Sequence, residues 1–474
     1  MEIIESKLKR QIIGINKWIA NNCIGTWDWC PRMGKTYAAL TAANKLKTDK
    51  PMSTIMIITP SIPVKNQWIS KIKELYPDLI NSCQVHTIHF IQENNVTITS
   101  TLLILDEIHE YYTEERLKII IKATSNFKLG LTGTRKDNKN RHLICEEIIP
   151  VIDIIHEKEA LENEWISKFL EYNISVDLTE TEKENYELQS QLINKFLSKF
   201  GRNGLNLAQK CLSGGKDYKG NYYTNKQFCF GWSIHNGWRN NLDLEKEENK
   251  IINSQWNPKV IMGYAVALMK SIRERKNILY NAIEKLNIAV ELIKKFNTLK
   301  TICFSQSSEF AENLKDKLNI EIDINTCVSY HSNIETQLLP IGKNNKLIKV
   351  GKTKLKKIAI DNFKNGKNRV ISTVAALDRG LDITDIRLAI IASSTQNPTQ
   401  HAQRGARAKT LEIFNKDVVV LIINLYVKDT KDETWLRNKQ KHTKNIIYWV
   451  DNINDINYTP QDNTTFSLED LENI

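Results

Sequence analysis

The string Cys30-Pro31-Arg32-Met33-Gly34-Lys35-Thr36 is the feature that most constrains the fold. Glycine, lysine and threonine in this order form the phosphate-binding end of a P-loop. Backbone N–H groups of such a loop surround phosphates, the lysine binds the terminal phosphates, and the threonine hydroxyl reaches Mg²⁺. The loop opens a helix predicted at 35–47, so this part of the chain is expected to be α/β.

Two carboxylates follow a second apolar segment. The run 102–105 (Leu-Leu-Ile-Leu) is typical of a buried strand, and it ends in Asp106-Glu107-Ile108-His109. Carboxylates at the end of a strand can hold a metal ion and an attacking water together. Each string alone has an ordinary explanation, either a chance helix start or an acidic turn. Their order and spacing favour one nucleotide site.

The P-loop departs from the full G-x-x-x-x-G-K-[ST] pattern at its first position, where this chain has Trp29 instead of glycine. The loop is therefore expected to obtain its curvature from Pro31, Arg32 and Met33. This departure affects the adenine side of the site and leaves the phosphate-binding end intact.

Length and composition limit the class of protein. A chain of 474 residues is expected to form two or three domains. The net charge of +11 favours a polyanionic partner. Eight scattered cysteines without a CxxC pair fit buried thiols in a reducing cytoplasm, and no apolar run is long enough to span a bilayer. Abundant Asn, Ile and Lys indicate an AT-rich genome, as in many phages.

Strand-like and helical segments alternate near both ends of the chain, which predicts two parallel sheets. The expected fold is α/β, with two parallel-sheet domains in tandem and a helical, loop-rich insertion between them. The predicted divisions are 1–160, 161–298 for the linker and insertion, 299–450, and a polar acidic tail at 451–474. Within the insertion, one long helix is predicted from Pro258 towards Phe296.

The chain resembles the superfamily 2 helicases and translocases, in which the P-loop is motif I and Asp106-Glu107-Ile108-His109 is a DExH box. The resemblance spans about residues 8–180 and 298–425 and is strongest to phage UvsW-type branch-migration DNA helicases. The other segments that resemble the family's motifs, in order, are Arg10-Gln11, Thr59-Pro60 with Gln67-Trp68, Thr132-Gly133-Thr134, Phe304-Ser305, Tyr330-His331-Ser332, Ser372-Thr373 with Arg379-Gly380-Leu381-Asp382, and Gln403-Arg404-Gly405-Ala406-Arg407.

The resemblance implies two RecA-like domains and a site for ATP and Mg²⁺. Lys35 and Glu107 are the expected phosphate ligand and catalytic base, and Mg²⁺ is expected on Thr36 and Asp106. The implied nucleotide-binding residues are Arg10, Gln11, Cys30, Pro31, Arg32, Met33, Gly34, Lys35, Thr36, Gly380, Asp382 and Gln403. Catalysis also needs an arginine from the second domain, either Arg404 or Arg407. The choice stays open because Ala406 and Thr410 replace family residues.

The resemblance also implies phosphate contacts to a DNA strand by Thr59, Ser61, Ser305 and Thr373. The expected function is an ATP-dependent DNA helicase or translocase, active as a monomer, that remodels forked or branched DNA with 3′→5′ polarity. The alternatives are an RNA helicase and a Snf2-like translocase that moves on duplex DNA without separating strands. A third alternative, a binding module with a degenerate ATP site, is disfavoured because the catalytic residues are present.

Overall fold

The computed structural model describes residues 2–133, 140–201, 204–216, 220–237, 257–341, 346–374, 386–393, 419–440 and 446–458. The helices are α1 (Glu2–Ala20), α2 (Lys35–Asp49), α3 (Ile62–Leu75), α4 (Ile88–Glu93), α5 (Glu114–Lys122), α6 (His142–Ile148), α7 (Glu157–Glu162), α8 (Glu180–Leu197), α9 (Gly204–Ser213), α10 (Asn225–Gly237), α11 (Pro258–Tyr280), α12 (Ile283–Lys295), α13 (Ser308–Glu321), α14 (Lys352–Lys364) and α15 (Lys431–Gln440). The strands are β1 (Ile24–Trp29), β2 (Ile55–Thr59), β3 (Cys83–Thr87), β4 (Thr99–Asp106), β5 (Thr124–Thr132), β6 (Val151–Ile155), β7 (Phe169–Val176), β8 (Gly215–Lys216), β9 (Tyr222–Tyr223), β10 (Thr301–Ser305), β11 (Cys327–Tyr330), β12 (Gln337–Ile341), β13 (Lys346–Val350), β14 (Val370–Val374), β15 (Leu388–Ile391), β16 (Val420–Val427) and β17 (Ile447–Val450).

The first sheet has the strand order β3-β2-β4-β5-β1-β6, and all of its neighbouring pairs are parallel. Its central strands are buried on both faces, as the apolar runs predicted. In the sheet register Asp28 lies opposite Thr132, and Asp106 lies opposite Leu131. The carboxyl ends of β1, β4 and β5 therefore meet at one edge of the sheet.

The second sheet has the order β11-β14-β10-β15-β16-β7-β17. The division at 161–298 is corrected here, because β7 lies inside that range and yet is a strand of this sheet. The predicted tail also begins later than 451, since Ile453 and Ile456 are buried and the Tyr458 hydroxyl donates to the Val419 carbonyl oxygen. These segments belong to the sheet because their apolar side chains complete its core.

Residues 176–287 form a separate compact unit. Helices α8 to α11 pack around a core that includes Phe200, Cys211 and Cys229, so most of the predicted loop-rich part is helical. The predicted long helix is two helices. The Asn281 N–H bonds the Asn277 carbonyl to end α11, and the Ile283 N–H that begins α12 donates to Glu182 Oε1 at 3.0 Å.

All eight cysteines are free thiols. In the described part of the chain, no helix combines the length and the apolarity that crossing a membrane requires.

A buried carboxylate fixes β1, which leads into the P-loop, against α1 and β6. The Asp153 side chain is fully buried and accepts hydrogen bonds from Arg10 at 2.8 Å, Lys17 at 2.6 Å and Trp29 Nε1 at 2.7 Å. Burial opposes its charge, but the hydrogen bonds from Arg10 and Lys17 outweigh burial and lower the pKa of Asp153. The strand that carries the P-loop is thus held by a charged network.

Replacing Asp153 by Asn should lower the free energy of unfolding by about 3 kcal/mol at neutral pH, because two cations lose a buried partner. The pKa of Asp153 is depressed, so its contribution is complete above the unfolded pKa of about 4 and disappears as the pH falls through the folded value. Urea unfolding measures both effects. The matched control is Asp49→Asn, at an exposed carboxylate at the end of α2. An Asp153→Asn protein as stable as the control would contradict this role.

Candidate active site

The P-loop turns through two residues with left-handed backbone. Arg32 has φ 71° and Gly34 has φ 80°. A non-glycine residue in this region is strained. The curvature expected from Pro31, Arg32 and Met33 therefore costs conformational free energy at Arg32. Position 34 also requires glycine for a steric reason, because a Cβ there would lie 2.5 Å from Gln11 Nε2. That amide donates to the Met33 carbonyl oxygen at 2.8 Å and ties α1 to the loop.

Lys35 is the first residue of α2, where the first-turn N–H groups have no partner within the helix. Its ammonium group donates to the Trp29 carbonyl oxygen at 2.8 Å. Gly133, just after β5, flanks this group: a Cβ there would lie 3.3 Å from Lys35 Nζ and 3.1 Å from the Trp29 carbonyl oxygen. A lysine, a helix start and two glycines without side chains fit phosphate groups.

Asp106 ends β4 and is buried at this same edge. Its Oδ2 accepts a hydrogen bond from Trp68 Nε1 at 2.8 Å. Burial and then the Glu107 carboxylate raise the pKa of Asp106, while the Trp68 hydrogen bond and the Lys35 charge oppose the shift. Such a carboxylate is stabilised by an added cation. With the Thr36 hydroxyl it offers the oxygen ligands that Mg²⁺ prefers.

Glu107 is also in the left-handed region, with φ 50°. It precedes a short 3₁₀ helix, Ile108–Tyr111, and its Oε2 lies 3.4 Å from His109 Nδ1. The same His109 nitrogen lies 3.0 Å from Thr132 Oγ1, at the end of β5. His109 is thus in contact with both Glu107 and Thr132. Backbone strain at the candidate base is typical of residues whose position matters for function.

Several predicted nucleotide ligands have other partners. The Arg10 guanidinium binds Asp153 and donates to Glu159 Oε1 at 2.8 Å, so it is committed to the fold. Met33 is fully buried and Cys30 is nearly so. The side chains of Arg10 and Met33 are therefore occupied within the fold, and their role in nucleotide binding stays a prediction. Any contribution of Met33 must come from its backbone.

The predicted strand-binding hydroxyls are mostly engaged within the protein. Thr59, Ser305 and Thr373 are fully buried. The Thr59 hydroxyl donates weakly to the Ser61 and His86 carbonyl oxygens at 3.3 Å, and the Thr373 hydroxyl donates to the Tyr330 carbonyl oxygen at 2.9 Å. The hydroxyls of Thr59 and Thr373 are thus engaged within the chain, and the phosphate contacts expected of these residues stay a prediction. Ser61 differs, since its buried Oγ has no hydrogen-bond partner in the described chain.

Ser305 holds a turn at the end of β10. Its Oγ lies 3.3 Å from Ser393 Oγ and accepts from the Ser307 N–H at 3.0 Å. The Gln306 N–H in turn donates to Ser393 Oγ at 2.7 Å. Contacts from this turn to a nucleic-acid strand are therefore expected from its backbone groups rather than from the Ser305 hydroxyl.

Five predicted site residues lie outside the described residues. They are Gly380, Asp382, Gln403, Arg404 and Arg407. Their roles remain the predictions stated above.

Two residues near the site were given no role from the sequence. Trp68 belongs to the Gln67-Trp68 pair. That sequence pattern marks Trp68 as part of a motif, but it does not predict the hydrogen bond from Trp68 to Asp106. Lys7 on α1 donates to the Trp165 carbonyl oxygen, and burial lowers the pKa of Lys7 to about 8. Only the three-dimensional packing of α1 reveals that Lys7 is desolvated close to Cys30 and Arg32.

Comparisons with known proteins found two family matches and a similar relative. Residues 33–137 match the family described as "Type III restriction enzyme, res subunit", and residues 284–409 match "Helicase conserved C-terminal domain". The DNA 3'-5' translocase XPB2 of Sulfurisphaera tokodaii is 22% identical over 424 residues, which cover 86% of this chain and 79% of the relative.

A solved structure shares the fold. S. cerevisiae Dbp5 bound to RNA and ADP BeF3 has a TM-score of 0.50 at 11% identity and covers 90% of this chain and 85% of that one. The Pyrococcus furiosus Hef helicase domain has a TM-score of 0.49 at 15% identity, with 90% and 97% covered. The predicted fold class of two parallel-sheet, RecA-like domains in tandem is confirmed.

Replacing Trp68 by Phe should reduce the kcat of nucleotide hydrolysis about tenfold, because Asp106 loses the hydrogen bond that orients its carboxylate. The KM for nucleotide should change little. The Mg²⁺ concentration for half-maximal activity should rise, and a steady-state Mg²⁺ titration measures it.

The control is Trp18→Phe, which removes an indole N–H that donates at 3.1 Å to the Lys128 carbonyl oxygen, away from the site. Equal kcat and equal Mg²⁺ dependence in the two variants would show that Trp68 does not position Asp106.

Proposed function

We propose that this chain, which carries the paired domains of a superfamily 2 helicase, is an ATP-driven DNA translocase or helicase. The observation that carries the proposal is the meeting of Lys35, Asp106 and Gly133 around one edge of the first sheet. A lysine for phosphate, a carboxylate for a metal ion and an adjacent Glu107 form the set that phosphoryl transfer to water requires.

Each residue has a defined task in this proposal. Lys35 neutralises the terminal phosphates, and Thr36 with Asp106 holds Mg²⁺, which supplies further positive charge at the phosphates. Glu107 accepts the proton of the attacking water. Arg404 or Arg407 stabilises the charge that spreads over the transferring phosphoryl group. The step breaks the terminal phosphoanhydride bond and forms the bond from water to phosphorus.

The contact between His109 and Thr132 supports coupling of hydrolysis to motion. His109 touches both Glu107 and the end of β5. A shift of the segment after β5 would therefore reach the base through one side chain. In the proposal, that shift accompanies movement along the nucleic acid.

DNA is the proposed track. The net charge of +11 favours a polyanion, and the XPB2 relative is named a DNA translocase. Because the proposed contacts are to the phosphates of DNA, binding is expected to weaken steeply with salt. We further propose that the protein acts as a monomer in the cytoplasm, that of the host if it is phage-encoded, and remodels forked or branched DNA like UvsW-type helicases in replication, recombination or repair.

ATP hydrolysis should be stimulated at least about tenfold by DNA, and Lys35→Ala should lower kcat by about 100-fold or more, because the terminal phosphates lose their cation. Phosphate release with single-stranded DNA, duplex, fork, four-way junction and RNA measured side by side tests this. Lys45→Ala, at an exposed lysine of the same helix, is the control and should behave as wild type.

Each alternative has its own result in this assay. Absence of stimulation by any nucleic acid would refute the proposed function. Stronger stimulation by RNA than by DNA would favour an RNA helicase. Duplex stimulation and triplex displacement without strand separation would identify a Snf2-like translocase.

A further inference from the structure

The sequence between the second domain's β11 and β14 contains an unusual concentration of charge. From residue 336 to residue 360 there are seven lysines and no acidic residue. The lysines are Lys343, Lys346, Lys349, Lys352, Lys354, Lys356 and Lys357. The excess of positive charge over the whole chain is only +11, so this segment carries a large share of it.

The last six of these lysines lie on the second strand of a β-ribbon and on the helix that follows it. Strands β12 and β13 pair antiparallel, with Gln337 opposite Val350, and they form a two-stranded sheet of their own. An isolated two-stranded ribbon is only marginally stable in water. This lysine ribbon, defined as residues 337–341 and 346–357, is anchored at its base, where Val350 packs with Ile334 and Leu355.

Four described lysines of the ribbon face solvent, whereas Lys356 lies over the ring of Tyr330. Lys349, Lys352, Lys354 and Lys357 are exposed, and none of them has a hydrogen bond or ion pair to the described part of the chain. Lys352 and Lys354 also occupy the first turn of α14, where the helix dipole disfavours cations. Local stability therefore does not explain this arrangement, whereas an external polyanion would relieve both the repulsion and the dipole penalty.

We propose that the lysine ribbon binds the phosphate backbone of double-stranded DNA, an extension that rests on the proposed function. A duplex carries one charge per about 1.7 Å, which matches a dense row of lysines better than a single strand does. A two-stranded ribbon also has the width that the major groove of DNA admits. The ribbon contacts phosphates and reads no sequence, because lysines on a phosphate backbone carry no base information.

The test uses the full chain and the triple variant Lys349→Gln/Lys352→Gln/Lys354→Gln. Affinity for a short blunt DNA duplex, and for a single strand of the same sequence, is measured between about 50 and 200 mM salt. The control is Lys45→Gln/Lys118→Gln/Lys122→Gln, which removes the same charge from exposed lysines of the first domain.

The triple variant should bind duplex about tenfold or more weakly, and its slope of log affinity against log salt should be shallower by about 2 to 3 units. Single-strand affinity and hydrolysis without DNA should stay close to wild type. Duplex affinity equal to that of the control, or an equal loss on duplex and single strand, would overturn the proposal. A wild-type protein that binds no DNA would instead refute the proposed function.

Discussion

The adjacency of three parallel strands, β4, β5 and β1, is the constraint on which the rest of the site depends. Parallel strands end at the same edge, so the chain after each of them enters the same space. The P-loop, Asp106 and Gly133 come from three distant parts of the sequence and meet there because of this order alone. No side-chain interaction could replace it.

Specific contacts then fix the loops at that edge. Gln11 ties α1 to the P-loop, and the buried Asp153 holds Trp29 at the end of β1. Arg32 and Glu107 adopt the left-handed backbone conformation, which is energetically unfavourable for residues other than glycine. The network at Asp153 and the close-packed sheet provide the rigidity that keeps such strained residues in place. Stability at α1 and chemistry at the loop are therefore linked.

Patterns in the sequence predicted much of this arrangement. The buried strands β2, β4 and β15 are apolar runs, and the P-loop and the Asp-Glu pair mark the site directly. Strand β1 was not predicted, because Ile24–Trp29 mixes glycine, threonine and aspartate with tryptophans whose packing depends on α1.

Long-range pairing accounts for the other differences. Strand β7 lies far in sequence from β16 and β17, beside which it packs, so no local pattern assigns it to the second sheet. Thr59 and Thr373 resemble surface contacts in sequence, yet both hydroxyls donate to backbone carbonyls. The resemblance identifies a position in a motif, whereas the direction of a side chain depends on the packing around it.

In the proposed function, the edge of the first sheet is half of an ATP site, and an arginine of the second domain completes it. The direct test compares Arg404→Ala and Arg407→Ala for both nucleotide affinity and hydrolysis. At least one variant should lose about 100-fold or more in kcat, with nucleotide affinity close to wild type, because Lys35 and Asp106 remain. Hydrolysis at the wild-type rate in both variants would contradict the account.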